Sequence, residues 1–302
     1  MKCLTTLFVA VLVGVAPRIA AADLHILACE PEWGSLAEEL GGNQVAVVTA
    51  TTAQQDPHHI QARPSLIAQA RRADLLVCTG AELEIGWLPL LLRQSSNDKL
   101  QPGQPGYFEA AEQVTLLEKP AQVDRNMGDV HPEGNPHMQL DPYRIATVAK
   151  KLSERLALLD PANAAFYKQN YQEFAKRWQQ AIKGWEAKAR PLKGVPVAVY
   201  HKGYAYLFHW LDIKEIVALE PKPGLPPSAG YLAEVKDKIA KQPVKMVIYS
   251  AYQSDQAANW LGANAHIPVV KLPFTVGGDD QAKDLFGLFD DTINRLLAGL
   301  KS

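Results

Sequence analysis

The sequence predicts an α/β protein with two lobes, each built on a parallel β-sheet, and one long rigid helix between them. Apolar runs of strand length alternate with amphipathic stretches of helix length in both halves of the chain. This alternation is typical of parallel sheets covered by helices on both faces. A single amphipathic stripe over residues 161–190 separates the halves. A chain of 302 residues is long enough to bury a core in each half.

Residues 1–22 predict a cleaved signal peptide. Lys2 precedes an apolar run over residues 7–16, and three alanines at positions 20–22 form a small-residue cleavage site. The apolar run is too short to cross a bilayer core of about 30 Å as a helix, and the alternative is an uncleaved anchor. We therefore expect the mature chain to be exported and soluble.

The charged residues nearly balance, with 31 Lys and Arg against 32 Asp and Glu. Proteins that bind nucleic acid or an anionic membrane surface usually carry a clear excess of basic residues. We therefore expect neither of these as the main partner.

The first lobe, residues 23–160, begins with alternating strands and helices. The predicted strands are 24–29, 45–48 and 75–78, and the predicted helices are 33–40, 64–72 and 141–159. Asp141 followed by Pro142 marks the start of the last helix, because aspartate caps a helix and proline fits its first turn.

Cys29 and Cys78 each end a predicted strand of this lobe. In an oxidising compartment they would form a disulfide if the two strands are neighbours. The alternative is a pair of buried free thiols.

Residues 161–190 predict the helix that links the lobes. Its apolar side chains recur every three or four residues, at Tyr167, Tyr171, Phe174, Trp178, Ile182 and Trp185. At about 1.5 Å per residue, this helix would be about 45 Å long, which is enough to connect two lobes rigidly. We interpret the stripe as core packing.

The second lobe, residues 191–302, repeats the alternation. Its predicted strands are 195–200, 216–219, 244–249 and 267–271, and its predicted helices are 231–240, 256–261 and 282–300. No glycine-rich phosphate motif occurs where a strand leads into a helix, which argues against nucleotide binding.

Three histidines lie at strand ends or in loops about sixty to eighty residues apart, namely His58, His137 and His201. Imidazole is the commonest protein ligand for zinc, and three imidazoles with one oxygen complete a tetrahedral site. The carboxyl ends of parallel strands also form the usual ligand-binding edge of a sheet. His59 competes with His58, but adjacent side chains diverge on an extended backbone, and we assign the ligand role to His58.

A fourth ligand is expected from the second lobe, where Asp279 and Asp280 follow two glycines. Either carboxylate would supply the oxygen, and the alternative for Asp280 is to cap the helix that begins near residue 282. His131 lies in a loop rich in glycine and proline, so we expect it to be mobile rather than a fixed ligand.

These segments resemble a known family. The motifs are Asp56-Pro57-His58 followed by Arg63-Pro64-Ser65, then Pro136-His137 with Leu140-Asp141-Pro142, then Tyr200-His201, together with residues 73–77 and 80–84. In this order they resemble the zinc- and manganese-binding solute-binding proteins of bacterial ABC importers, the cluster A-I or TroA-like group. The resemblance covers essentially the whole mature chain.

The resemblance implies a C-clamp protein that holds a metal ion between its lobes and delivers it to a membrane permease. With the signal peptide, we expect this protein to be periplasmic, and we expect a monomer. Manganese binders of the family typically place a glutamate where this chain has His201. Imidazole in that position favours zinc, so we expect a high-affinity zinc receptor, with a manganese receptor as the alternative.

The chain departs from the family pattern in two places. The loop over residues 124–135 is short, with His131 as its one histidine, and residues 250–252 lack the acidic residue that the family often has there. The short loop resembles members that receive zinc from a periplasmic metallochaperone, which makes His131 a candidate handover residue.

We expect no enzymatic activity. A periplasmic zinc hydrolase, the alternative from another class, needs an open coordination position and a general base. The sequence contains no His-Glu-x-x-His motif, and three imidazoles with one carboxylate would leave no position for a reacting water. A third alternative is a metal-dependent adhesin. It would bind through its outer surface, so no sequence motif would mark it.

Overall fold

The computed structural model of the protein describes residues 24–124 and 127–302. The predicted signal peptide, residues 1–22, lies outside the described residues. Within them, no helix combines the length and the apolar character needed to cross a membrane.

Each lobe contains a four-stranded parallel sheet with its first strand in an inner position. The first sheet has the order β2-β1-β3-β4, with β1 (Leu24–Ala28), β2 (Val45–Thr49), β3 (Leu75–Cys78) and β4 (Tyr107–Glu109). The second has the order β6-β5-β7-β8, with β5 (Pro196–Val199), β6 (Lys214–Ala218), β7 (Val247–Ser250) and β8 (Val269–Leu272). Because every pairing is parallel, the carboxyl ends of the strands in each sheet share one edge.

Helices cover the sheets and connect the lobes. The first lobe contains α1 (Pro31–Gly41), α2 (Pro64–Arg72) and α3 (Leu88–Ser95), and the connection consists of α4 (Pro142–Leu159) and α5 (Ala164–Ala189). The second lobe contains α6 (Ala205–Leu211), α7 (Ala229–Lys241), α8 (Gln256–Ala265) and α9 (Leu285–Lys301). The prediction of a two-lobe α/β fold with a long connecting helix is confirmed.

Three short elements were not predicted from the sequence, namely β4, α3 and α6. The first has three residues and the last has seven, so neither is long enough to show a clear period. α9 begins later than predicted, because its N-cap is Asp284, whose side chain accepts a hydrogen bond from the backbone N–H of Gly287, 2.8 Å away. Asp280 is therefore not the cap.

The aromatic stripe of α5 ties both lobes into one hydrophobic core. Trp178 is 1% exposed, stacks on Phe174 and meets the edge of Phe289 from α9 at 5.3 Å between ring centroids. Its indole N–H donates to the carbonyl of Pro142, 2.8 Å away. The same buried cluster includes Trp33 of α1. The packing of α5 therefore sets how the two lobes face each other, while lobe boundaries at residues 160 and 190 stay a prediction.

Candidate metal centre

His58 lies in the loop after β2 and is held by the aspartate two residues before it. Its Nδ1 donates to Asp56 Oδ1 at 2.7 Å, and the same oxygen accepts the backbone N–H of His58 at 3.0 Å. Burial alone would raise the pKa of Asp56, but its hydrogen bonds and charge interaction with His58 lower that pKa below its ordinary value. With the proton on Nδ1, the Nε2 atom presents a lone pair, and it is buried without a hydrogen-bond partner in the described structure.

His201 enters from the second lobe, two residues after β5. Its Nδ1 donates to Glu220 Oε2 at 2.7 Å, and this oxygen also accepts the backbone N–H of Gly224 at 3.0 Å. The Nε2 atom of His201 lies 3.4 Å from the Nε2 atom of His137. A carboxylate thus orients this imidazole as Asp56 orients His58.

His137 precedes the start of α4 and is 3% exposed. Its backbone N–H donates to the side-chain oxygen of Asn135 at 3.0 Å, which fixes the turn that carries it. Burial and the imidazoles of His58 and His201 lower the pKa of His137 well below its ordinary value. The ring is therefore neutral and able to bind a metal.

The structure places His131, which the sequence analysis set apart from the fixed ligands as a loop residue, within the histidine cluster. Its Nδ1 donates to the carbonyl of Ala81 at 3.1 Å, and its Nε2 is buried without a hydrogen-bond partner within the described chain. One ligand atom each from His58, His131 and His137 lie within 4.8 Å of one another. The loop is anchored on the second lobe by the backbone N–H of Asp129, which donates to the carbonyl of Pro223 at 3.0 Å.

The imidazoles of His58, His131 and His137 therefore meet at the cleft between the lobes, and the imidazole of His201 contacts this group through His137. The ring centroids of His58 and His201 are 5.9 Å apart, and those of His58 and His131 are 5.4 Å apart. In a tetrahedral zinc site with Zn–N bonds of about 2.0–2.1 Å, neighbouring nitrogens are about 3.3–3.4 Å apart. The 3.4 Å between the Nε2 atoms of His137 and His201 fits that edge. The donor set fits a divalent cation.

The predicted carboxylate ligand is not in this cluster. Asp279 forms an ion pair with Arg295 of α9 at 2.5 Å, and Asp280 is exposed. Among the described residues, neither belongs to a group of three or more metal-binding side chains. Asp279 instead pairs with Arg295, so the histidine cluster lends no support to the expectation that one of these two carboxylates binds the metal. His59 also stays outside, with its ring 64% exposed and 3.7 Å from Asp129.

Cys29 and Cys78 form a disulfide at the ends of the neighbouring strands β1 and β3, with their Cα atoms 4.7 Å apart. Both cysteines are buried. The disulfide therefore links the carboxyl ends of two strands, at the edge of the sheet where the loops of the first lobe begin.

Asp56 and Glu220, which accept hydrogen bonds from the clustered histidines, were not predicted from the sequence. Asp56 had a local signal, since it lies two residues before His58 and an Asx turn there is common. Glu220 lies two residues after β6, the strand that pairs with β5, so the rule that places ligands at the carboxyl edge of a sheet applies to it as well.

Known proteins resemble the chain over most of its length. The model of a family described as zinc-uptake complex component A, periplasmic, matches residues 26–299. The high-affinity zinc uptake system protein ZnuA of Paracoccus denitrificans is 24% identical over 272 residues, which cover 79% of each chain. The manganese ABC transporter substrate-binding lipoprotein PsaA of Streptococcus mitis is 21% identical over 320 residues and 99% of each chain.

The zinc-binding lipoprotein AdcA of Streptococcus pneumoniae is 22% identical over 234 residues, which are 76% of this chain. They are 46% of AdcA, so the chain spans about half the length of that relative. PsaA is named as a substrate-binding lipoprotein of a manganese ABC transporter, whereas the names of AdcA and ZnuA refer to zinc.

Solved structures share the fold. A crystal structure of ZnuA superposes with a TM-score of 0.73 and 22% identity, covering 90% of this chain and 99% of the other. The solute-binding protein FpvC of Pseudomonas aeruginosa, in complex with Mn²⁺, superposes with a TM-score of 0.76 and 21% identity, covering 92% and 99%.

The carboxylates that accept hydrogen bonds from His58 and His201 should control metal affinity. Asp56→Asn and Glu220→Gln keep the size of each side chain but remove the charge that orients the imidazole, so we expect each to weaken binding about 10–100-fold. Competition with a chromophoric chelator measures the affinity. Glu234→Gln on the exposed face of α7 is the matched control. Unchanged affinity in both Asp56→Asn and Glu220→Gln would contradict this role.

The metal-free protein should lose stability through His131 as the pH falls. Burial and the imidazole of His58 lower the pKa of His131 to about 4, whereas an unfolded histidine titrates near about 6.5. Between these values the unfolded chain takes up a proton that the folded chain does not, which disfavours folding at lower pH. Burial raises the pKa of Glu32 and of Glu84 to about 7, which has the opposite sign.

Comparison with His131→Gln isolates the histidine from those carboxyl groups. We expect the free energy of unfolding of this variant, relative to the unchanged protein, to rise as the pH is lowered from 7 to 5. Urea titrations of chelator-treated protein at each pH measure it. A difference that stays constant with pH would contradict the assignment.

Proposed function

Because the chain belongs to the family of the periplasmic component A of zinc-uptake complexes, we propose that it captures Zn²⁺ between its lobes and delivers it to a membrane permease. The observation that supports this most directly is the cluster of four imidazoles from both lobes, in which His58, His137 and His201 are buried and His131 is half-buried. We assign His58, His131, His137 and His201 as the ligands. The leader-like residues 1–22 agree with a periplasmic location.

Zinc is proposed over manganese because of the donor atoms. Imidazole nitrogens suit zinc, whereas Mn²⁺ is better served by carboxylates, carbonyls and water. Both carboxylates next to the cluster, Asp56 and Glu220, contact the Nδ1 atoms of histidines. Relatives with manganese in their names make a manganese receptor the alternative.

Capture would connect the two lobes through the metal. His58 and His131 precede α4, and His201 follows β5, so a bound ion joins side chains from both sides of the cleft. The loaded protein should be better ordered than the metal-free protein, and a permease can distinguish the two. The inclusion of His131 as a ligand gives it a role inside the site, so a handover role with a metallochaperone is not part of this proposal.

Catalysis is not proposed. Four protein ligands complete a tetrahedral zinc site and leave no position for a reacting water. Asp56 and Glu220 each accept a hydrogen bond from a ligand histidine, so neither is free to act as a general base. A zinc hydrolase would need both features.

Metal competition on chelator-stripped protein tests the proposal. We expect one tight equivalent of Zn²⁺ that resists excess Mn²⁺. His201→Ala removes a ligand, so it should weaken zinc binding by more than the about 10–100-fold expected when Asp56 or Glu220 is replaced. His209→Ala, on the exposed side of α6, is the control and should not weaken it. Tighter manganese binding would overturn the metal assignment, and the absence of a tight site would overturn the proposed function.

A further inference from the structure

Phe274 lies beside the metal cluster in a backbone conformation that bulky residues rarely adopt. It follows β8 with a φ of 68° and is 3% exposed. A non-glycine residue in this left-handed region is strained, and the strain persists only when the surroundings determine the conformation. The contacts of Phe274 therefore hold it in this conformation.

The ring of Phe274 packs against His137 on one side and against two tyrosines of the second lobe. Its centroid lies 5.6 Å from that of His137, 5.3 Å from that of Tyr252 and 5.6 Å from that of Tyr204. A Cβ atom on Gly203 would approach the ring to 2.9 Å, so the ring also fills the space above that glycine. The aromatic side chain is thus fixed on several sides.

The backbone of the same segment holds the chain around His137. Gln139, two residues after the ligand, donates from Nε2 to the carbonyl of Phe274 at 3.3 Å. The next residue, Thr275, donates its hydroxyl to Glu32 of α1 at 2.5 Å. One dipeptide of the second lobe therefore contacts the ring of His137, the turn that follows it and the first helix.

His137 differs from the other three histidines in what orients its ring. In the other three, Nδ1 donates a hydrogen bond to an acceptor on the protein. The acceptor is Asp56 for His58, Glu220 for His201 and the carbonyl of Ala81 for His131. The described residues place no such acceptor on Nδ1 of His137, whose ring faces Phe274 instead. Packing thus takes the place of a hydrogen bond at this ligand.

We propose that Phe274 is a positioning residue that sets the orientation of His137 and thereby the geometry of the metal site. The left-handed conformation lets the ring, the carbonyl and the neighbouring Thr275 reach their three partners at once. This inference rests on the proposed function, because it assigns a role at the same metal site.

The test compares substitutions of Phe274 with a matched aromatic substitution elsewhere. Phe274→Leu removes the ring but keeps an apolar side chain, and Phe274→Gly also relieves the backbone strain. Phe108→Leu, at a buried position of β4, is the control for a general loss of packing. Phe274→Tyr retains the ring and should preserve binding. Phe274→Gly serves if Phe274→Leu does not fold.

Three quantities are measured for each variant, namely the zinc affinity, the visible spectrum of the Co²⁺-loaded protein and the urea midpoint of the metal-free protein. We expect Phe274→Leu and Phe274→Gly to weaken zinc binding at least about tenfold and to change the Co²⁺ bands. Phe108→Leu should lower the urea midpoint and leave both metal readouts unchanged.

Zinc affinity and Co²⁺ bands that stay unchanged in Phe274→Leu and Phe274→Gly, despite lower stability, would overturn the positioning role while leaving the proposed function intact. If the unchanged protein binds no zinc tightly, the proposed function and this inference both fail.

Discussion

The buried imidazole nitrogens constrain the rest of the structure. The Nε2 atoms of His58 and His131 have no hydrogen-bond partner in the described chain, and those of His137 and His201 face each other at 3.4 Å. An unsatisfied buried polar atom costs about 1–3 kcal/mol, and several neutral nitrogens that point at one place repel one another. A divalent cation would turn this cost into ligation, so binding and stability are coupled.

The fold brings these nitrogens together through three long-range features. The aromatic stripe of α5 packs both lobes into one core, which fixes the cleft in which the histidines meet. The loop that carries His131 is held on one side by Ala81 and on the other by Pro223. Phe274 completes the enclosure by packing on His137. The site is therefore a product of the whole chain rather than of one motif.

The sequence predicted the elements that have a clear period and the histidines that stand at strand ends. His58 and His201 follow strands, and a parallel sheet collects such residues at one edge. It did not predict the position of His131, because the course of an irregular loop depends on distant contacts that spacing does not reveal. The ion pair of Asp279 with Arg295 could not be predicted for the same reason, since Arg295 lies on the following helix. No local sequence pattern indicates that the backbone of Phe274 adopts a left-handed conformation.

X-ray absorption spectroscopy at the zinc edge, on protein loaded with one equivalent of Zn²⁺, tests the central claim most directly. Four imidazole ligands predict a first shell of four nitrogens at about 2.0–2.1 Å, with the outer-shell scattering typical of histidine rings. The same spectrum is expected for Asp279→Asn, because that carboxylate pairs with Arg295. Outer-shell scattering from fewer than four imidazole rings, or a spectrum that changes in Asp279→Asn, would contradict the four-histidine site.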